Sequence, residues 1–146
     1  MSETRAAPVP PRGDEAPAER RGCQRFVARR RGEPCFWVVM DGVRIPLNDL
    51  SADGFSYPSA TPPASGEVFD FVLQREGVPD EIRGRAVVVN FLAASAQVGC
   101  SFTSLDGDGD GAERLRDWLI AHVLMTATVR ITEKDAAAIV SGPSLI

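Results

Sequence analysis

From Glu33 to Ser104 the apolar residues recur mostly at every second position, in short runs divided by glycine, proline and small polar residues. That period predicts strands. Glu33–Met40 (EPCFWVVM) is an apolar, β-branched and aromatic run. Asp41-Gly42 follows it, and then VRIPLNDL alternates, which is the strongest short-range signature of a hairpin. Phe55–Tyr57 predicts another short strand. Pro58–Gly66 (PSATPPASG) reads as a loop, and Glu67–Gln74 alternates again. Arg75–Asp80, with Gly77 and Pro79, predicts a turn. Glu81–Phe91 follows as a strand in which Gly84 marks a bulge or a close approach of backbone. Gln97–Ser104 alternates so as to place Val98, Cys100 and Phe102 on one face.

The period then changes. Leu115, Trp118, Leu119, His122 and Val123 recur at helical spacing, which predicts an amphipathic helix over 111–126. Asp110 and Glu113 have the spacing of a capping box. Thr132–Val140 predicts a short second helix, with Thr132 and Asp135 as its cap pair and Gly142-Pro143 as its stop. The sum is an all-β domain: a small six-stranded antiparallel β-barrel, with a C-terminal α-helix covering one end. Residues 1–19, rich in Pro, Ala, Glu and Arg, read as a disordered tail. Residues 20–126 form the domain and 127–146 an extension.

Composition narrows the function. The 146 residues suffice for one domain. No apolar run approaches the roughly 20 residues of a membrane helix, and Met1–Glu19 lacks the apolar stretch of a secretory leader. Three widely spaced cysteines, Cys23, Cys35 and Cys100, form no CxxC pair, so neither a disulfide framework nor a structural zinc site is expected, and a cytoplasmic location is. With one histidine and one lysine, the chain offers no base–nucleophile pair, metal set or phosphate-binding loop; no enzymatic activity and no cofactor are expected. Asp106, Asp108 and Asp110 match half of a calcium loop, but the element before them reads as a strand, which favours a plain acidic turn over calcium binding. His122 and both tryptophans, Trp37 and Trp118, read as packed residues. Cys23, among cations, reads as an exposed and somewhat activated thiol.

Charge is uneven. Residues 1–31 carry a net +4 and residues 32–146 a net −8, and six arginines fall between Arg20 and Arg31 with no acid among them. The guanidinium fork suits phosphates and guanine edges, while the acidic remainder opposes broad nucleic-acid binding. Two pieces stand in order. Arg20-Arg21-Gly22-Cys23-Gln24-Arg25 contains an R-R-x-x-x-R. Asp49-Leu50-Ser51-Ala52-Asp53-Gly54 is a D-x-S-x-x-G, 24 residues after Arg25. Taken alone, Asp49, Ser51 and Gly54 have the types that simply cap and make turns.

Together with the VGCSF strand and the ERLRDWL helix, these residues resemble the PilZ domain family, over roughly residues 19–126. The resemblance implies a PilZ-like barrel that binds cyclic di-GMP and signals to an effector protein in motility, adhesion, biofilm, polysaccharide or virulence control. In that reading Arg21 and Arg25 clamp guanine edges and phosphates, and Arg20 stacks on or bridges a second base, as in family members that take a stacked ligand dimer. Asp49 and Ser51 hydrogen-bond a guanine, and Gly54 makes a turn that no Cβ could enter. The arginine segment would be loose when empty and wrap over the ligand. One alternative is a PilZ-fold adaptor that binds no nucleotide and works by protein contact. Another is a small barrel for single-stranded nucleic acid, which would need aromatic side chains exposed along a basic groove. A monomer and a homodimer are both compatible with the sequence.

Overall fold

The computed structural model describes residues 23–64, 66–105, 110–127 and 130–142. Its strands are β1 (Phe26–Val27), β2 (Arg29–Arg30), β3 (Glu33–Pro34), β4 (Phe36–Met40), β5 (Val43–Pro46), β6 (Asp49–Leu50), β7 (Gly54–Pro58), β8 (Val68–Arg75), β9 (Val78–Leu92) and β10 (Gln97–Leu105). Two helices follow, α1 (Gly111–Thr126) and α2 (Glu133–Ser141). Eight strands make one antiparallel sheet in the order β1-β6-β7-β10-β9-β8-β4-β5, and β2-β3 form a separate ribbon.

The fold class is the expected one, an all-β half-barrel with a C-terminal helix, but the strands are more finely divided than six. The Glu33–Met40 run breaks at Cys35, whose backbone serves both sides: its N–H donates to Ala28 O and its carbonyl accepts from Glu76 N–H. The hairpin after it forms as expected. Asp41 and Gly42 both take positive φ, 52° and 78°, the geometry that matches strand twist in a two-residue turn. VRIPLNDL divides into β5, at one end of the sheet order, and β6, next to β1 at the other. Between them Leu47 N–H donates to Phe36 O on β4, and Asn48 N–H donates to Ser56 O on β7. One corner of chain thus joins the two ends of the curled sheet. The turn expected over Arg75–Asp80 is shorter, because Arg75 already pairs with Val78 across Glu76-Gly77.

Inward side chains fill the curl. Phe55 meets Phe69, Phe71 and Phe102 with ring centroids 5.5–6.5 Å apart, a distance range in which edge-on and tilted rings attract. Helix α1 buries Leu115, Trp118, Leu119, His122 and Val123, and Phe36 of β4 packs against both Trp118 and His122. Asp110 makes no side-chain cap bond, contrary to expectation, because its own backbone is already in the helical region and holds the carboxylate away from the first turn. The second helix has the expected box: Thr132 Oγ1 accepts from Asp135 N–H and Asp135 Oδ2 from Thr132 N–H. It packs Ala136 and Val140 into the same core, so the extension after residue 126 continues the domain's packing.

Trp37 and Trp118 part company. Trp118 is in the core, and its indole N–H donates to Asp80 Oδ2 at 2.9 Å. Trp37, expected in the core, alternates outward from buried Phe36 and Val38; its outer face is covered by the Arg44 guanidinium 4.0 Å from the ring centroid.

Candidate functional site

The two sequence motifs meet through strand pairing. β1 lies antiparallel to β6 with Phe26 opposite Leu50 and Val27 opposite Asp49. Leu50 points into the core, so Val27 and Asp49 face outward. Arg25, two residues before Val27, extends on the same face. Its Nη1 donates to Asp49 Oδ1 at 3.3 Å, with each side chain 23% exposed. Arg25 Nε is buried without a partner. The lead-in to the barrel is therefore an edge strand at this point, fixed against the strand that carries Asp49. Arg20 and Arg21 lie outside the described residues, as do Asp106 and Asp108.

Ser51 and Gly54 have positions different from Asp49's. Ser51 is 1% exposed. Its hydroxyl donates to Asp53 Oδ1 at 2.6 Å, reaches Gly54 O at 3.3 Å and accepts from Asp53 N–H, while Ser51 N–H donates to Gly54 O. It thus holds the turn between β6 and β7 and does not line the groove. Gly54 is required by close packing: a Cβ there would lie 2.1 Å from Cys100 O of β10. The thiol of Cys23 is only partly exposed, and its pKa is raised, first by burial and then by the Asp53 carboxylate. The activation expected from its arginine neighbours is not what the site favours: burial, and after it the charge of Asp53, disfavours the thiolate.

The register extends the site beyond the motifs. Val27 pairs with Asp49, Asp49 with Ser56, Ser56 with Gly99, and Gly99 with Asn90. These five residues form one row across β1, β6, β7, β10 and β9. Gln97, two residues from Gly99, and Leu92 opposite it complete a groove of about 300 Å³ that also contains Arg25. Gly99 leaves the middle of the floor bare. Asn90 reaches this face because of a bulge: Cys100 pairs with Val88 but Gly99 with Asn90, so Val89 is extra. In unbroken alternation Asn90 would follow buried Ala86 and Val88 into the core; the bulge turns it outward. Strand reading from the sequence missed Asn90 and Gln97, because neither a bulge nor a five-strand row is visible in a single run. The polar residue in the middle of an apolar strand, VVVNF, was the available signal.

A larger concavity, about 910 Å³, opens among Arg29, Arg30, Arg31, Glu33, Glu76 and Met125. It contains none of the motif residues, so the smaller groove is the candidate site. His122 is a packed histidine, as expected. Its Nε2 lies 3.0 Å from Val27 O, which can only accept, so Nε2 carries the proton, and Nδ1 faces the Cys35 thiol at 3.8 Å. Burial lowers its pKa, and Arg30 lowers it further. Burial pushes the Cys100 thiol up to about 12. Among the described residues no group of three or more His, Cys, Asp or Glu side chains could hold a metal ion, and no helix is long and apolar enough to cross a membrane.

The fold is an all-β, PilZ-like half-barrel, and the groove gives one face of its sheet a polar floor. No protein-family profile matches the chain, and no curated protein matches it. Among solved structures, the Bacillus subtilis inhibitor of motility (MotI/DgrA) is similar at a TM-score of 0.58 and 20% identity, over 81% of this chain and 57% of that one. An uncharacterized Legionella protein, Lpg0364, aligns at a TM-score of 0.47 and 16% identity, over 68% of this chain and 91% of that one. The chain thus spans little more than half the length of the Bacillus protein, with which it shares a fold.

Proposed function

We propose that the protein is a non-enzymatic receptor for cyclic di-GMP that passes the signal to an effector protein, with control of motility as its setting. The observation that carries the reading is the Arg25–Asp49 pair, in which one residue from each motif meets on one face of one groove. The chemistry suits a guanine nucleotide. Guanine O6 and N7 accept from a guanidinium, its N1–H and N2–H donate to a carboxylate, and the phosphates take further arginines. Arg20 and Arg21, a few residues upstream in the sequence, would supply further cations for the phosphates. The likeness to an inhibitor of motility supports the choice of setting.

Calorimetric titration of the full chain with cyclic di-GMP, with GMP and cyclic di-AMP as controls, tests the reading. Saturable binding of cyclic di-GMP is expected. Arg25→Ala and Asp49→Ala should each weaken it by more than tenfold, since each removes a charge-assisted contact of about 1.5–3 kcal/mol. Stability should change by only about 1 kcal/mol, because the ion pair is partly solvated. No binding by the parent would leave an adaptor acting by protein contact alone.

A further inference from the structure

We propose that Gln97 selects guanine over adenine in this groove, with Ser56 as the residue that orients it and Asn90 as a contact that adds affinity without choosing the base. The inference rests on the cyclic di-GMP reading and assigns base choice to residues outside both sequence motifs.

Ser56 is buried, 3% exposed, at the centre of the row. Its hydroxyl donates to Gln97 Oε1 at 3.3 Å. With Oε1 turned to Ser56, the carboxamide leaves its Nε2 protons for a ligand. The groove therefore offers a fixed donor beside bare Gly99, on the face that Arg25 and Asp49 share. At the corresponding edge guanine shows O6, an acceptor, where adenine shows its N6 amino group, a donor. Guanine completes a hydrogen bond there. Adenine sets N–H against N–H and leaves both donors unpaired as the ligand excludes water.

Asn90 differs. Its carboxamide makes no hydrogen bond among the described residues, and its Oδ1 lies over Gly99, 2.3 Å from where a Cβ would be. It is exposed and can present either its donor or its acceptor end. A group free to turn suits both purines and discriminates between neither.

The test is the ratio of affinities for cyclic di-GMP and cyclic di-AMP, measured by calorimetry on the full chain. Gln97→Glu keeps the acceptor for Ser56 and replaces the free donor with an acceptor. The ratio should fall about tenfold or more. The added negative charge opposes both nucleotides equally, since both carry two phosphates, and so cancels in the ratio. Ser56→Ala frees Gln97 to turn over and should lower the ratio by a smaller factor. Asn90→Ala should weaken both nucleotides and leave the ratio unchanged. A Gln97→Glu ratio within twofold of the parent's, in a protein that binds cyclic di-GMP, overturns the assignment of base choice alone. A parent that binds neither nucleotide overturns the receptor reading and this inference with it, and that result is visible before any variant is made.

Discussion

Two glycines on neighbouring strands of the site should respond in opposite ways to the same added methyl group. At Gly54 a Cβ would meet three backbone atoms: Cys100 O at 2.1 Å, Cys100 C at 3.2 Å and Ser101 Cα at 3.3 Å. A carbon–oxygen contact is comfortable at roughly 3.3 Å, so β7 and β10 must separate by about 1 Å at this end. The pairs at stake are Gly54 with Ser101 and Phe55 with Cys100. Overpacking costs about 1–3 kcal/mol, and a weakened ladder hydrogen bond adds about 1 kcal/mol, so Gly54→Ala should cost about 2–4 kcal/mol. For a chain of this size that lowers Tm by roughly 4–16 °C. At Gly99 the three nearest atoms, 2.3–3.7 Å away, all belong to the Asn90 side chain, which is exposed and can swing aside. Gly99→Ala should therefore stay within about 1 kcal/mol of the parent, while its methyl group and the displaced Asn90 obstruct the groove. Denaturant titration followed by tryptophan fluorescence, with thermal melts by circular dichroism, measures both. Equal stability of Gly54→Ala and the parent, or a larger loss at Gly99 than at Gly54, would refute the packing argument.

Two further expectations concern pH and the helix contact. His122 is held neutral by burial, below the ordinary 6.5, so the unfolded chain takes up its proton first; stability should be full above pH 6.5 and decline as pH falls below it. Melts at pH 7.5 and 5.5 should show that decline in the parent and a flatter profile in His122→Gln, and a parent profile that is flat across this window excludes the mechanism. Asp80 accepts from the Trp118 indole and from Arg114, and these bonds, the indole's first, hold its carboxyl below the ordinary 3.8. Its stabilisation is thus present above pH 3.8 and lost as pH falls through the lowered value. Asp80→Asn should cost about 1 kcal/mol at neutral pH once solvent screening is allowed for, read as a lower denaturation midpoint; an unchanged midpoint would show that the Arg114–Asp80–Trp118 contact is idle.

What the sequence made legible is what local rules control. The Asp41-Gly42 turn, the span of α1 and the Thr132–Asp135 box depend on residues within one or two turns of each other, and period and cap chemistry find them. The departures arise where a distant partner decides. Cys35 splits a continuous apolar run because Ala28 and Glu76 claim its backbone. Trp37 faces outward because β4 alternates about Phe36 and Val38, and Arg44 across the hairpin makes that position tolerable. Ser51 matches a binding motif by position, yet the two residues after Ala52 occupy its hydroxyl. Asn90 turns outward because β9 carries one residue more than β10 can pair.

The Arg25–Asp49 contact has a consequence for how the groove would take a ligand. Each charged group has the other as its counterion, so neither charge stands uncompensated beside the core. A phosphate on Arg25 would bring a second anion close to the Asp49 carboxylate, and like charges side by side oppose each other. A guanine avoids that conflict, since it presents acceptors to the guanidinium and N–H donors to the carboxylate along adjoining edges. It can replace the ion pair with partners for both members, which leaves the phosphates to the other arginines of the segment. The Arg25–Asp49 pairing therefore favours a ligand that carries donors and acceptors on one rigid plane over a simple anion, which is a stricter requirement than the positive charge of the arginine segment would impose by itself.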